Sequence, residues 1–175
     1  TASGSEYAIR VDLYSALAFG NRILNWRGGG INLLSQMGNA AFNLIAGCRG
    51  TACSGIVQSS ATTTYGYSIL SNTIYGGAGN GFTTTKAADV PRLVFLNNII
   101  AGHTGVGKYG INLSAGTQPV NDRLIQAKFG YNCLYNNTNN YGGLTAPSTD
   151  INSDPIFVDA ANNDFRLQSG SPCKA

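Results

Sequence analysis

The side chains best suited to covalent chemistry are the acids, and the chain has only eight of them in 175 residues. Hydrolysing a glycosidic bond takes two facing carboxyls, one acting as acid and the other as base or nucleophile. Lyase chemistry on an acidic sugar takes carboxylates that hold calcium, plus an Arg or Lys as base. Between residues 13 and 121 the only acid is Asp89, and Asp150, Asp154, Asp159 and Asp164 all fall near the end. The weak catalytic candidates are therefore Asp12, Asp89 and Asp122, with Arg92, Lys128 or His103 as partners. No spacing among them builds a facing pair, so no catalytic residue is assigned. His103, the single histidine, lies in Ala-Gly-His-Thr-Gly and reads as a loop residue rather than a base. The late aspartates read as turn and cap residues rather than calcium ligands. No metal and no cofactor are expected.

Two other residue types can act without turnover. Nine tyrosines occur, and Tyr65, Tyr67, Tyr75 and Tyr109 are the ligand-binding candidates, because an exposed ring stacks on sugars or fills an interface. The competing reading stacks them along the outer faces of the fold. Four cysteines allow three pairings. Cys48 and Cys53 lie five apart and can staple their loop, and a Cys133–Cys173 bridge would pin the C-terminal segment to the body. Alternatively Cys133 is a small buried hydrophobe. The spacing does not suit zinc. Paired cysteines point to an extracellular, cell-surface or virion setting.

These residues must be positioned by a repeat. Leu93-Val-Phe-Leu-Asn-Asn-Ile-Ile100 is followed by Gly110-Ile111, and the same figure recurs. Asn21, Asn43, Asn72, Asn98 and Asn132 each precede an apolar residue by two positions, with a Gly-apolar pair downstream at Gly30, Gly55, Gly81, Gly110 and Gly143. The steps between asparagines are 22, 29, 26 and 34 residues, a solenoid period. Alternation with a period of two makes the repeats strands. It assigns Val94, Leu96 and Ile100, then Leu17, Phe19 and Ile23, then Leu70 and Ile74, to the inside. Phe129, Gly130 and Tyr131 break that parity before Asn132. Too little chain separates the copies for crossover helices, so short turns must join parallel strands. The asparagines suit a left-handed turn position and, stacked coil on coil, can bond one another in a column.

This pattern resembles the right-handed parallel β-helix of the pectate-lyase-like proteins. The segment Asp154-Pro-Ile-Phe-Val-Asp through Asp164-Phe-Arg-Leu-Gln-Ser-Gly-Ser-Pro172 resembles the closing segment of secreted and phage β-helix proteins. The resemblance implies an all-β single-stranded solenoid of about five coils over residues 1–149, with a capping tail over residues 150–175. It implies no particular activity, because that fold carries lyases, hydrolases, adhesins and spikes alike.

Composition narrows the function classes. Charged residues are only 11% of the chain and the net charge is +3, with Lys and Arg scattered, which argues against nucleic acid. No apolar run is long enough for a membrane span. Thr1 stands almost at once before a strand-like segment, so the expected chain is the C-terminal part of a longer or processed one, or another chain covers that end. The expected function is a non-enzymatic extracellular structural or recognition module: a phage spike, a virion decoration or a surface fibre. It would self-associate, as a homotrimer or fibre, or join a parent assembly. The alternatives are a polysaccharide lyase or glycoside hydrolase with its site upstream or between subunits, and a lectin-like binder of polysaccharide.

Overall fold

The computed structural model describes residues 6–12, 15–34, 37–50, 53–59, 66–84, 93–113 and 128–174. Tyr65, Asp89, Arg92 and Asp122 lie outside them.

The chain starts with β1 (Tyr7–Val11) and then repeats a unit of three strands. The first unit is β2 (Leu17–Phe19), β3 (Arg22–Leu24) and β4 (Gly29–Leu33). The second is β5 (Asn39–Ala41), β6 (Leu44–Ala46) and β7 (Ile56–Gln58). Next come β8 (Tyr67–Leu70), β9 (Thr73–Gly77) and β10 (Phe82–Thr84), then β11 (Leu93–Leu96), β12 (Ile99–His103) and β13 (Tyr109–Leu113). The last unit is β14 (Lys128–Gly130), β15 (Cys133–Tyr135) and β16 (Asn139–Gly142). Strands stack only on their counterparts in neighbouring units. This gives three parallel sheets: β2-β5-β8-β11-β14, β3-β6-β9-β12-β15 and β1-β4-β7-β10-β13-β16. The fold is an all-β parallel solenoid. Among the described residues no helix is long and apolar enough to cross a membrane.

The core is a set of vertical columns. Ile31, Ile56, Phe82 and Ile111 stack in register and are fully buried. Phe95 packs against Phe82 and Phe129, with ring centroids 4.8 and 5.1 Å apart. Stacking like on like lets a short period fill a long core without crossover helices.

The inward parity of the first sheet is the reverse of the sequence expectation. Leu17 and Phe19 are exposed, at 54% and 60%, while Ala18 points inward. Likewise Phe95 and Ile69 are buried, and Val94, Leu96 and Leu70 are not fully so. The second sheet keeps the expected faces, with Ile23, Ile45, Ile74 and Ile100 inside. A one-residue slip therefore occurs at the corner between the two sheets. Its cause is a left-handed residue, which turns the chain without completing the alternation. Read with that slip, the fifth repeat is regular, because Phe129 takes the inward place of Phe95. Its glycine pair is misplaced, however. Ile111 pairs with Tyr141, so Asn140 occupies the position expected for Gly143.

The end of the chain has two jobs. Residues 149–151 add one more rung, with Ile151 bridging to Cys133 and its carbonyl accepting from the Leu134 amide at 2.8 Å. The remainder turns back along the flank of the second sheet as an antiparallel hairpin, β17 (Phe157–Asp159) and β18 (Asp164–Leu167). Phe157 and Phe165 pack on Tyr75, at 5.7 and 5.1 Å between centroids. Arg22 of the first unit donates to the Asn163 carbonyl at 2.9 Å. Cys133 is joined to Cys173 and Cys48 to Cys53. The first bridge ties the tail to the stack, and the second closes its short loop.

Candidate functional site

The corner between the first and second sheets organises everything that can act at the surface. The residue before each repeat asparagine is left-handed there: Gly20, Phe42, Ser71, Asn97 and Tyr131, with φ between 52° and 65°. The asparagine itself is not, which corrects the expectation that it supplies the left-handed turn. It points inward instead. Each Asn side-chain oxygen accepts from both the backbone N–H and the Nδ2 of the preceding rung. Asn21 bonds to Asn43 this way at 3.0 and 2.9 Å, and Asn72 to Asn98 at 3.0 and 3.0 Å. Asn43, Asn72, Asn98 and Asn132 are buried. The second Nδ2 hydrogen reaches a first-sheet carbonyl, such as Ala40 from Asn72 at 2.9 Å.

Asp150 ends this ladder. Its Oδ1 accepts from Asn132 N at 2.8 Å and from Asn132 Nδ2 at 3.1 Å, and its Oδ2 accepts from the Tyr141 hydroxyl at 2.9 Å. The last rung needs only to accept, which is all a carboxylate can do. Burial raises the Asp150 pKa, while the bonds from Asn132 and Tyr141 oppose that rise. Burial, and then the Asp150 charge, push the Tyr141 hydroxyl pKa upward. A sequence signal existed: Asp150 continues the run of corner residues 18 positions after Asn132.

The expected site residues disperse. Asp12 pairs with Arg10 at 2.8 Å on the surface. Tyr67 is 1% exposed and belongs to the core, because the corner slip turns it inward; it offers no ring to a ligand. Tyr75 is covered by the hairpin phenylalanines, and Tyr109 starts β13 half-buried. Asp154 and Asp159 cap local turns, accepting from the amides of Ile156 and Asn162.

His103 is not in a loop. Gly102, at φ 75°, turns it inward at the end of β12, where Gly77 opposite leaves room for the ring. It is fully buried, with Nδ1 at 3.2 Å from the Gly79 carbonyl and Nε2 without a hydrogen-bond partner among the described residues. Burial lowers its pKa from 6.5 to about 4, outweighing the Gly79 and Ile74 carbonyls, which raise it. The neutral ring is the folded form, so this contribution to stability is complete above pH 6.5 and is lost as pH falls toward 4. That loss amounts to about 3 kcal/mol. Asp150, pushed up, works in the opposite sense: its contribution is lost as pH rises past 3.8. Urea unfolding of the parent and His103→Gln at neutral pH and near pH 4 isolates the histidine. The parent is expected to lose more on acidification; equal losses would show that the ring titrates normally.

Two clefts open on the outer flank of the second sheet, between the corner and the returning tail. One, of about 360 Å³, is bordered by Ser71, Asn97 and Tyr131 on the corner side and by Pro172, Cys173 and Lys174 on the tail side. Tyr131 is 66% exposed and held at φ 56°. The other, of about 350 Å³, lies between Arg22, Leu44 and Thr73 and the hairpin residues Asn163 to Arg166. Asp164 and Arg166 are 2.6 Å apart there, and the Arg166 hydrogen bond, helped by Arg22, holds Asp164 down to about 2. Sequence reading places Tyr131 among the tyrosines flanking turns but does not single it out as a ligand-binding candidate, because its exposure depends on the corner slip.

Together these features define a parallel β-solenoid with an internal asparagine ladder and a flank closed by its own C-terminal hairpin. Residues 38–174 match the family described as disaggregatase related, and the chain belongs to that family. No curated protein matches, and no solved structure does.

Proposed function

We propose that this chain is a non-enzymatic extracellular recognition module whose ligand is carbohydrate. The observation that carries the reading is Tyr131. Every coil turns its corner on a left-handed residue, at a cost of about 1–2 kcal/mol where that residue is not glycine; what singles out Tyr131 is its ring, 66% exposed at the rim of a cleft. Around the ring stand the amide of Asn97, the hydroxyls of Ser71 and Thr149 and the ammonium of Lys174, a mixture suited to sugar hydroxyls and ring faces. Two disulfides suit an oxidising compartment. The tail's likeness to secreted β-helix proteins points the same way. The family's name refers to disaggregation, and a module that grips carbohydrate fits such a process without itself cleaving anything.

Glycan-array binding by the parent and Tyr131→Gly tests the reading. Glycine relieves the left-handed strain, so Tm is expected to stay level or rise while binding falls about tenfold or more. Unchanged binding would remove Tyr131 from the site. The rival reading is a polysaccharide lyase or glycoside hydrolase. Turnover of a polysaccharide that disappears in Asp12→Ala, Asp89→Ala or Asp122→Ala would establish it instead.

A further inference from the structure

We infer that Asn136 is a modification site, an acceptor that carries an oligosaccharide on its side-chain nitrogen. The inference stands apart from the carbohydrate-recognition reading, because it concerns a sugar joined to the chain rather than one bound in a cleft, and Asn136 borders neither cleft described above. Two segments have the Asn-x-Ser/Thr form that asparagine glycosylation requires, Asn112-Leu-Ser114 and Asn136-Asn-Thr138. Their surroundings differ. Asn112 lies inside β13, half-buried and paired on both sides, with Thr83 and with Gly142; Ser114 lies outside the described residues. Asn136 and Thr138 lie in the short link between β15 and β16, and both are exposed.

The residue between them explains why. Asn137 is held inward: its Oδ1 accepts from the His103 amide at 3.0 Å, and its Nδ2 donates to the Ile100 carbonyl at 3.1 Å and to Asn140 Oδ1 at 2.9 Å. With that side chain seated, the residues on either side face solvent together. The Thr138 amide donates to the His103 carbonyl at 2.9 Å and fixes the backbone of the segment. Corner geometry accounts for Asn136 only in part. Its φ is 49°, and Asn25, Gly47, Gly76 and Gly102 hold the same left-handed place in earlier coils. Asparagine tolerates that backbone, but tolerance requires no threonine two positions on. Asn25 shows the contrast: it is half-buried and Arg27 stands at that position. Neither the Asn136 amide nor the Thr138 hydroxyl has a hydrogen-bond partner among the described residues, so both stand free for a transferase to read. A bulky polar chain is accommodated only at such a surface, and the two disulfides suit a chain that leaves the cytosol.

In the transfer, Asn136 Nδ2 attacks C1 of a sugar carried on a polyprenyl phosphate. A C1–N bond forms and the C1–O bond to the phosphate breaks. The lipid phosphate departs with that bonding pair, Nδ2 gives up one proton, and nothing is oxidised or reduced.

Peptide mass spectrometry of the protein purified from the cells that make it tests this. After reduction, trypsin releases residues 129–166 as one peptide, which contains Asn136-Asn-Thr138 and no other such segment. That peptide is expected to exceed its sequence mass by whole sugar units, placed on Asn136 by fragmentation, while the peptide holding Asn112 keeps its sequence mass. Thr138→Ala leaves the corner residue in place, and Asn136→Gly installs the residue that three earlier coils use there. Each should lose the entire increment and still unfold cooperatively, and Thr138→Ser should keep it. An Asn136 peptide at its sequence mass, or heavier by deamidation alone, overturns the inference, and so does an increment that survives Thr138→Ala. Sugar on Asn112 overturns the argument from burial that separates the two segments. None of these results bears on Tyr131→Gly, so the two readings fail separately.

Discussion

Asn98→Ala is expected to cost about 4 kcal/mol or more and to leave the domain barely folded. Removing the amide strips the acceptor from the backbone N–H and Nδ2 of Asn72, which bond to it at 3.0 and 3.0 Å. It also strips donors from the carbonyls of Ile69 and Leu96, at 3.0 and 3.1 Å. Asn98 is 0% exposed, so water does not replace these partners without opening the corner. Each buried orphan costs about 1–3 kcal/mol. Asn21→Ala is the internal comparison. It begins the ladder half-buried and is expected to cost about 1 kcal/mol. Urea denaturation of both variants checks the gradient. Similar small losses at the two positions would mean that the ladder decorates the corner rather than holding it.

Gly81→Ala has the second largest expected effect, about 3 kcal/mol of destabilisation. An added Cβ would run into the Ile100 side chain of the next coil, lie 2.6 Å from the Gly110 carbonyl oxygen and stand 3.2 Å from the His103 ring. The carbonyl belongs to the paired backbone and the histidine is enclosed, so no neighbour gives way cheaply. Gly30 and Gly55 face the same obstacle, from Ile45 and the Gly55 carbonyl in one case and from Ile74 and the Gly81 carbonyl in the other. Gly170→Ala, where nothing lies within 4 Å, is expected to be neutral. Thermal unfolding of both variants decides it; a Gly81→Ala protein with the parental Tm would show that the coils are more loosely spaced than the glycine column implies.

That glycine column explains why the repeat was so plain in the sequence. Gly30, Gly55, Gly81 and Gly110 recur because each presses against the inward aliphatic residue of the next coil, so no other side chain fits. The fifth position escapes the rule. Asn140 ends its column among the described residues, where no further strand of that sheet presses on it. The candidate site was far less legible. Tyr67 and Tyr131 differ in the sequence only by their distance from a repeat asparagine, yet one is core and the other is rim. Arg22 and Arg166 stand 144 residues apart and meet only because the hairpin returns along the flank.

The sequence alone determined the parallel winding, the file of corner asparagines and four of the five glycine positions, because each follows from a steric or hydrogen-bonding demand repeated in every coil. Only the tertiary structure decided which residue bends the corner, which faces point inward before it, that Asp150 ends the ladder and where the tail lies. Those depend on one left-handed residue per coil, which shifts the alternation by one, and on aromatic packing between Tyr75 and a hairpin 80 or more residues away. Local periodicity carries no record of either.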